Sequence, residues 1–229
     1  MIDDRVSRGL RRQMERRAAE LADGRRPIGW KAGFGAPATL EKFRLDGPLV
    51  GYMTDGSLLG DGATVDVSGW SNPVAEPEIA VWVGADIPAD PTEHDVRASI
   101  AALAPAIELA DVYPPPEDVE EALAGNVYHR GVILGERDER RAGGHVEDLT
   151  ARVTRDGEPI EVPDDLESLT GRIPDVVAHL ARLVSSTGER VRSGDVIITG
   201  AIVPPVSLSP GITVVYELSG YPALTVHAG

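Results

Sequence analysis

The sequence predicts an α+β fold that is mainly β: a mixed sheet core, a few packing helices and a helix at the N-terminus. Three observations carry this. Short apolar segments bounded by Gly, Pro, Asp and Ser outnumber segments with helical spacing. The two marked internal helices, opening at Thr92 and at Pro174, are separated by several such segments, unlike the regular alternation of a doubly wound sheet. There is also no internal repeat, no GxGxxG before a helix, no P-loop, no GxSxG elbow and no HExxH.

Residues 3 to 22 carry Val6, Leu10, Met14, Ala18 and Leu21 at helical spacing, closed by Gly24. The arginine pairs between them read as a solvated basic face, with a subunit contact or a lid as the alternatives. Ile28 to Gly35 is an apolar segment with three glycines and one lysine. Desolvation of Lys31 between Trp30 and Ala32 lowers its pKa and makes an acid/base group; otherwise it snorkels from a strand edge. Residues 35 to 72 read as short strands and turns, Thr54 to Ser57 being one turn.

Pro73 to Gly84 is the centre of the chain. From Glu78 it reads as a buried strand with Glu76 and Glu78 at its mouth, and period-two alternation puts both carboxylates on one side. Two like charges beside an apolar strand repel and lose hydration unless a cation joins them. Thr92 to Asp95 resembles a capping box, followed by a helix through Val96, Ile100, Leu103 and Ala104 that Pro105 ends. Ala106 to Val112 then reads as a strand with Glu108 inside it. Three carboxylates on interior-looking strands, without Cys or His, suit a hard divalent cation.

Further on, Pro114 to Pro116 starts a loop, and Glu117 to Leu123 is a short acidic helix with a solvated face at Glu117, Glu120 and Glu121. Gly125 to Gly131 leads into a strand, and Asp156-Gly157 turns a hairpin over residues 151–162. Val176 to Val184 forms a helical stripe stopped by Gly188. Val196 to Gly200 is a buried strand whose Thr199-Gly200 end leaves backbone amides free for an anion, and two more strands close the chain.

With 42% hydrophobic and 26% charged residues, the 229-residue chain has a globular composition and the length to bury a core. Its formal net charge of −15 repels nucleic acid and anionic membranes, so neither is an expected partner. Without cysteine there are no disulfides, thiolate metal sites or Cys nucleophiles. No apolar run approaches the roughly 18 residues of a membrane span. The charged N-terminus lacks a signal-peptide core, so the expected location is cytoplasmic.

Gly29-Trp30-Lys31-Ala32-Gly33, Glu76-Pro77-Glu78-Ile79-Ala80, Ala106 to Asp111, Gly194 to Gly200 and Pro210-Gly211 together resemble the fumarylacetoacetate hydrolase superfamily. Within it, the resemblance is to the 2-keto-4-pentenoate hydratase and 4-oxalocrotonate decarboxylase branch. It implies a fumarylacetoacetate hydrolase-like catalytic domain over residues 28–229, with residues 1–27 as an N-terminal helical segment. It also implies Mg²⁺ or Mn²⁺ on Glu76, Glu78 and Glu108, a 2-oxo acid chelated to the ion, and an enolate stabilised there. Lys31 becomes the proton carrier or carboxylate clamp, and Asp55 a second catalytic candidate. Gly33, Thr199, Gly200 and His129 become substrate-side residues, and a homo-oligomer is implied.

The implied activity is a metal-dependent lyase of the 2-hydroxydienoate hydratase type. The alternatives are a 4-oxalocrotonate-type decarboxylase, an acylpyruvate-type carbon–carbon hydrolase, or an inactive scaffold subunit of a lyase complex. The hydrolases of this superfamily use an N-terminal His–Glu pair, and here no histidine precedes His94, which argues against hydrolysis by that route. Asp111-Val112-Tyr113 and Gly125 to His129 stand where branch members show Asp-Ser-Arg and Asp-Asn-x-Ser. Those departures point to a non-standard substrate, with His129 either a polar contact or a structural residue.

Overall fold

Asp3 accepts the Arg5 amide and so caps α1 (Asp4–Ala22), the helix its apolar spacing predicts. The computed structural model describes residues 2–113 and 118–229, so the proline loop and Glu117 lie outside the described residues. The chain continues through β1 (Pro27–Gly33), α2 (Pro37–Phe43), β2 (Leu49–Thr54), a 3-10 turn (Asp55–Ser57), β3 (Leu58–Leu59) and β4 (Ala63–Val65). Then come β5 (Pro73–Val83), α3 (Glu93–Ser99), β6 (Ile100–Asp111), α4 (Val119–Ala124), a short turn (Asn126–Tyr128) and β7 (His129–Leu134). The hairpin β8 (Ala151–Arg155) and β9 (Glu158–Ile160) is followed by α5 (Ile173–Ser186). Last are β10 (Val196–Ala201), β11 (Val206–Ser207), β12 (Thr213–Leu218) and β13 (Leu224–Ala228).

The strands form two sheets. The larger runs β2-β1-β10-β5-β6-β7-β3, with β11 added to β5, and the smaller runs β4-β13-β12-β8-β9. The axis of the larger sheet is the long antiparallel pair β5 and β6, in which Glu76 stands directly opposite Glu108. Ile79, Val81, Leu103 and Ile107 send one face of that pair into the main core, together with Val177 and Leu180 of α5. The other face carries the smaller Ala80, Ala104 and Ala106 in a second buried cluster with Met53, Val132 and Ile198. By alternation Glu78 shares that face with Ala80, and Glu108 shares it with Ala106. Small side chains there leave room for the longer glutamates and lysine.

Three expectations change. The helix after the Thr92 capping box ends at Ser99, and residues 100–111 form one strand that runs through Pro105. The Pro105 carbonyl takes the Gly135 amide just past the end of β7, so the missing proline N–H falls where the ladder thins. Pro37–Phe43 is a helix with proline in its first turn, inside a stretch read as strands and turns. Glu76 and Glu78 lie inside β5, which already begins at Pro73, rather than at its mouth.

The basic face of α1 is also less solvated than its sequence implies. Arg8 and Arg12 reach Glu120 and Glu121 of α4 at 2.8 and 2.6 Å, and Arg17 lies 5.0 Å over the Trp30 ring. Exposed pairs of this kind contribute little. The firmer attachment is buried: the Gln13 amide donates to the carbonyls of Val50 and Leu123, both at 2.9 Å. Val6 and Leu10 of α1 belong to the main core. No helix among the described residues is long and apolar enough to cross a membrane.

Candidate active site

Lys31 sits mid-strand in β1, between β2 and β10, and its side chain is only 2% exposed. Gly51 stands opposite it in β2, where a Cβ would lie 2.7 Å from the Lys31 Cγ, so the glycine makes space for the lysine. The ammonium donates to Glu108 Oε1 at 2.5 Å and to the Val127 carbonyl at 3.1 Å. Glu78, 1% exposed, accepts the Gly200 amide on Oε2 at 2.7 Å. Gly200 holds that position with φ +100, where a side chain would also press on Thr170.

One carboxylate oxygen from each of Glu76, Glu78 and Glu108 lies within 4.8 Å of the other two. Glu108 is fully buried and its Oε2 has no hydrogen-bond partner. A buried carboxylate oxygen without a donor is costly. A hard cation at that point satisfies it, and an all-oxygen donor set fits Mg²⁺ or Ca²⁺. The residues present therefore fit a divalent metal.

The charges follow the packing. Burial, then repulsion from Glu108, pushes Glu76 up to about 7 against the pull of Lys31. Burial and the charges of Glu108 and Glu76 raise Glu78 well above the carboxylate range. Burial would raise Glu108 too, but Lys31 and His129 together hold it below its ordinary value. For Lys31 the expectation is reversed. Burial is the largest single influence and would lower it, yet Glu108, Glu76 and Glu78 outweigh burial and raise it. The lysine is an ammonium held by carboxylates, not a desolvated amine.

Glu76, Glu78, Lys31, Gly33 and Gly200 line one cavity of about 250 Å³. Three other candidates lie elsewhere. Thr199 turns its hydroxyl to the Ile79 carbonyl at 2.9 Å, and the Gly200 amide is bound to Glu78, so the end of β10 offers no free amide pair for an anion. His129 sits behind Glu108: Nδ1 is 2.8 Å from Glu108 Oε1 and Nε2 is 3.0 Å from Ser57 Oγ. It lines a separate cleft with Ser57 and Arg130. Asp55 is bound by the Arg26 amide and side chain, both at 3.0 Å, and does not reach the cavity.

Sequence reading missed the rest of the lining, including Phe34, Val112, Val127, Tyr128, Leu169 and Thr170. The left-handed turn Asn126–Tyr128 gives no sequence signal, since none of its residues is glycine. Only Asn126 favours that conformation.

The family model of the fumarylacetoacetate (FAA) hydrolase C-terminal region matches residues 33–227, which takes in Glu76, Glu78, Glu108 and Gly200 and begins two residues after Lys31. The chain belongs to that family. A 4-oxalocrotonate decarboxylase of Pseudomonas putida is 30% identical over 90% of this chain and 79% of its own. A 2-keto-4-pentenoate hydratase of Paraburkholderia xenovorans is 27% identical over 82% and 71%. Among solved structures, 4-oxalocrotonate decarboxylase from Pseudomonas putida G7, complexed with magnesium and adipate, superposes with a TM-score of 0.85. It is 26% identical and covers 95% of this chain and 83% of that one. The same decarboxylase has been solved with calcium and acetate. In this member of the fumarylacetoacetate hydrolase family, Glu76, Glu78 and Glu108 are, among the described residues, a group that could hold a metal ion.

Proposed function

We propose that this chain is a divalent-metal-dependent lyase that adds water to an unsaturated 2-oxo acid of the 2-hydroxydienoate type. The observation that carries the reading is Glu108, whose one oxygen takes Lys31 while the other is buried and unpartnered beside Glu76 and Glu78. The names of the relatives, hydratases and decarboxylases, support a lyase. Glu76, Glu78 and Glu108 would hold the ion, Mg²⁺ or Mn²⁺, which when bound supplies Lewis-acid stabilisation to a substrate enolate.

The chain's own residues do the rest. Lys31 enters as the ammonium its neighbours maintain, so its first task is to donate, either to the substrate carboxylate or to a reacting carbon. Cation binding to the carboxylates would weaken their hold on that proton. Gly33 and Gly200 let the substrate head approach the backbone. His129, held by Ser57, keeps Glu108 oriented rather than touching substrate.

Decarboxylation of a 2-oxo enedioate is the second reading, favoured by the likeness to 4-oxalocrotonate decarboxylases. NMR analysis of products, with Mg²⁺ and a panel of 2-oxo acids, separates the readings. A 4-hydroxy-2-oxo acid from a 2-hydroxydienoate supports hydration, and CO₂ release from an enedioate supports decarboxylation. Two acids from an acylpyruvate would indicate hydrolysis. Absence of turnover across the panel contradicts the lyase reading and favours a scaffold subunit.

A further inference from the structure

We infer that the substrate tail beyond the 2-oxo acid head is apolar and uncharged, and that the cavity selects against a second carboxylate. This rests on the metal-centred 2-oxo acid reading above. Among the described residues lining the cavity, Lys31 is the one cation, and its Nζ is already engaged by Glu108 and the Val127 carbonyl.

Away from Glu76 and Glu78 the walls are mostly apolar, with Phe34, Val112, Val127, Leu169 and Pro205, and the polar groups they carry are the hydroxyls of Thr39, Tyr128 and Thr170. Three carboxylates, Lys31 and a divalent ion balance formally. The substrate head adds one negative charge, and a distal carboxylate would add another with no Lys or Arg to pair it. A carboxylate against such walls loses hydration and has neutral hydroxyls, not a cation, to offset the loss. An apolar tail gains by the same burial.

The apolar wall is built at a conformational cost. Asn126, Val127 and Tyr128 all have left-handed backbones, with φ of 57, 50 and 63. For the β-branched Val127 this is strained. The Asn126 side chain holds the turn by accepting the Tyr52 amide at 2.9 Å and donating to the Tyr52 carbonyl at 3.0 Å. The turn brings Val127 and Tyr128 to the cavity, where the Phe34 ring stands 6.1 Å from that of Tyr128. Strain kept at a cavity wall, rather than relieved by glycine, indicates that the wall's shape is used.

Calorimetry in Mg²⁺ with pyruvate, 2-oxohexanoate and 2-oxoadipate tests this, the last two sharing one chain length. The expected result is that 2-oxohexanoate binds more tightly than pyruvate, and at least about tenfold more tightly than 2-oxoadipate. Leu169→Arg, a change in the loop before α5, should reduce that gap by about tenfold by giving the distal carboxylate a partner. If 2-oxoadipate binds the wild type as well as 2-oxohexanoate does, the tail inference is overturned while the head-group reading stands. If pyruvate, 2-oxohexanoate and 2-oxoadipate all fail to bind in Mg²⁺, the metal-centred reading falls and takes the tail inference with it.

Discussion

Glu108 connects both halves of the site. One oxygen is shared by Lys31 and His129, and the other is buried without a hydrogen-bond partner, in a residue that clusters with Glu76 and Glu78. Removing the lysine leaves a fully buried carboxylate with half its compensation. Lys31→Ala should therefore destabilise the metal-free protein by about 3–5 kcal/mol in a urea titration with chelator present. A loss below about 1 kcal/mol, the value of an ordinary exposed pair, would contradict the geometry. His129 acts one step further out. His129→Ala should weaken Mg²⁺ binding by about 10- to 100-fold, with partial recovery in His129→Gln, whose amide can still donate to Glu108. Unchanged Mg²⁺ affinity in His129→Ala would remove the positioning role.

At the scale of elements, α1 and α4 mount the left-handed turn that walls the cavity. α1 grips Leu123 and Val50 through Gln13, and Asn126 then ties the turn to β2 at Tyr52. Asn126→Ala removes two buried hydrogen bonds and should cost about 2–3 kcal/mol, read as a lower urea midpoint. A midpoint equal to wild type would show that the turn stands without that tie. These links also mark where the sequence was legible and where it was not. Strand alternation put Glu76 and Glu78 on one side of β5, and the carboxylate inside an apolar segment drew Glu108 to them. The register that sets Glu76 opposite Glu108 depends on strand pairing that the sequence does not spell out. The Asp156-Gly157 hairpin was readable, since both residues take the positive φ that its two-residue turn demands. The 100–111 strand was half lost, because Val96, Ile100, Leu103 and Ala104 also satisfy helical spacing and a doubly buried strand has no polar face to distinguish it. The roles of His129, Thr199 and Gly200 depend on which neighbours complete each hydrogen bond, and those neighbours are remote in sequence.

For the molecule as a whole, the proposed metal centre would couple folding to metal and to pH. Glu76 has its folded-state value raised to about 7, above the ordinary carboxylate value of 4.5. The metal-free folded chain thus holds a proton that the unfolded chain releases. That contribution to stability is present at low pH and is lost as pH rises through about 7. A divalent ion bound at Glu76 would take the place of that proton and compete with it. The rise in Tm on adding Mg²⁺ should then be larger at about pH 8 than at about pH 5.5. An equal rise at both would mean that the ion binds elsewhere.

The most direct test of the central claim is a calorimetric titration of Mg²⁺ into the wild type and into Glu108→Gln, each with pyruvate present. The glutamine keeps the side-chain shape but loses the charge that faces the ion. One ion per chain in the wild type, with affinity reduced at least about 100-fold in the variant, is the predicted result. Equal binding in both proteins, or none in the wild type, would contradict a metal centre built on Glu76, Glu78 and Glu108.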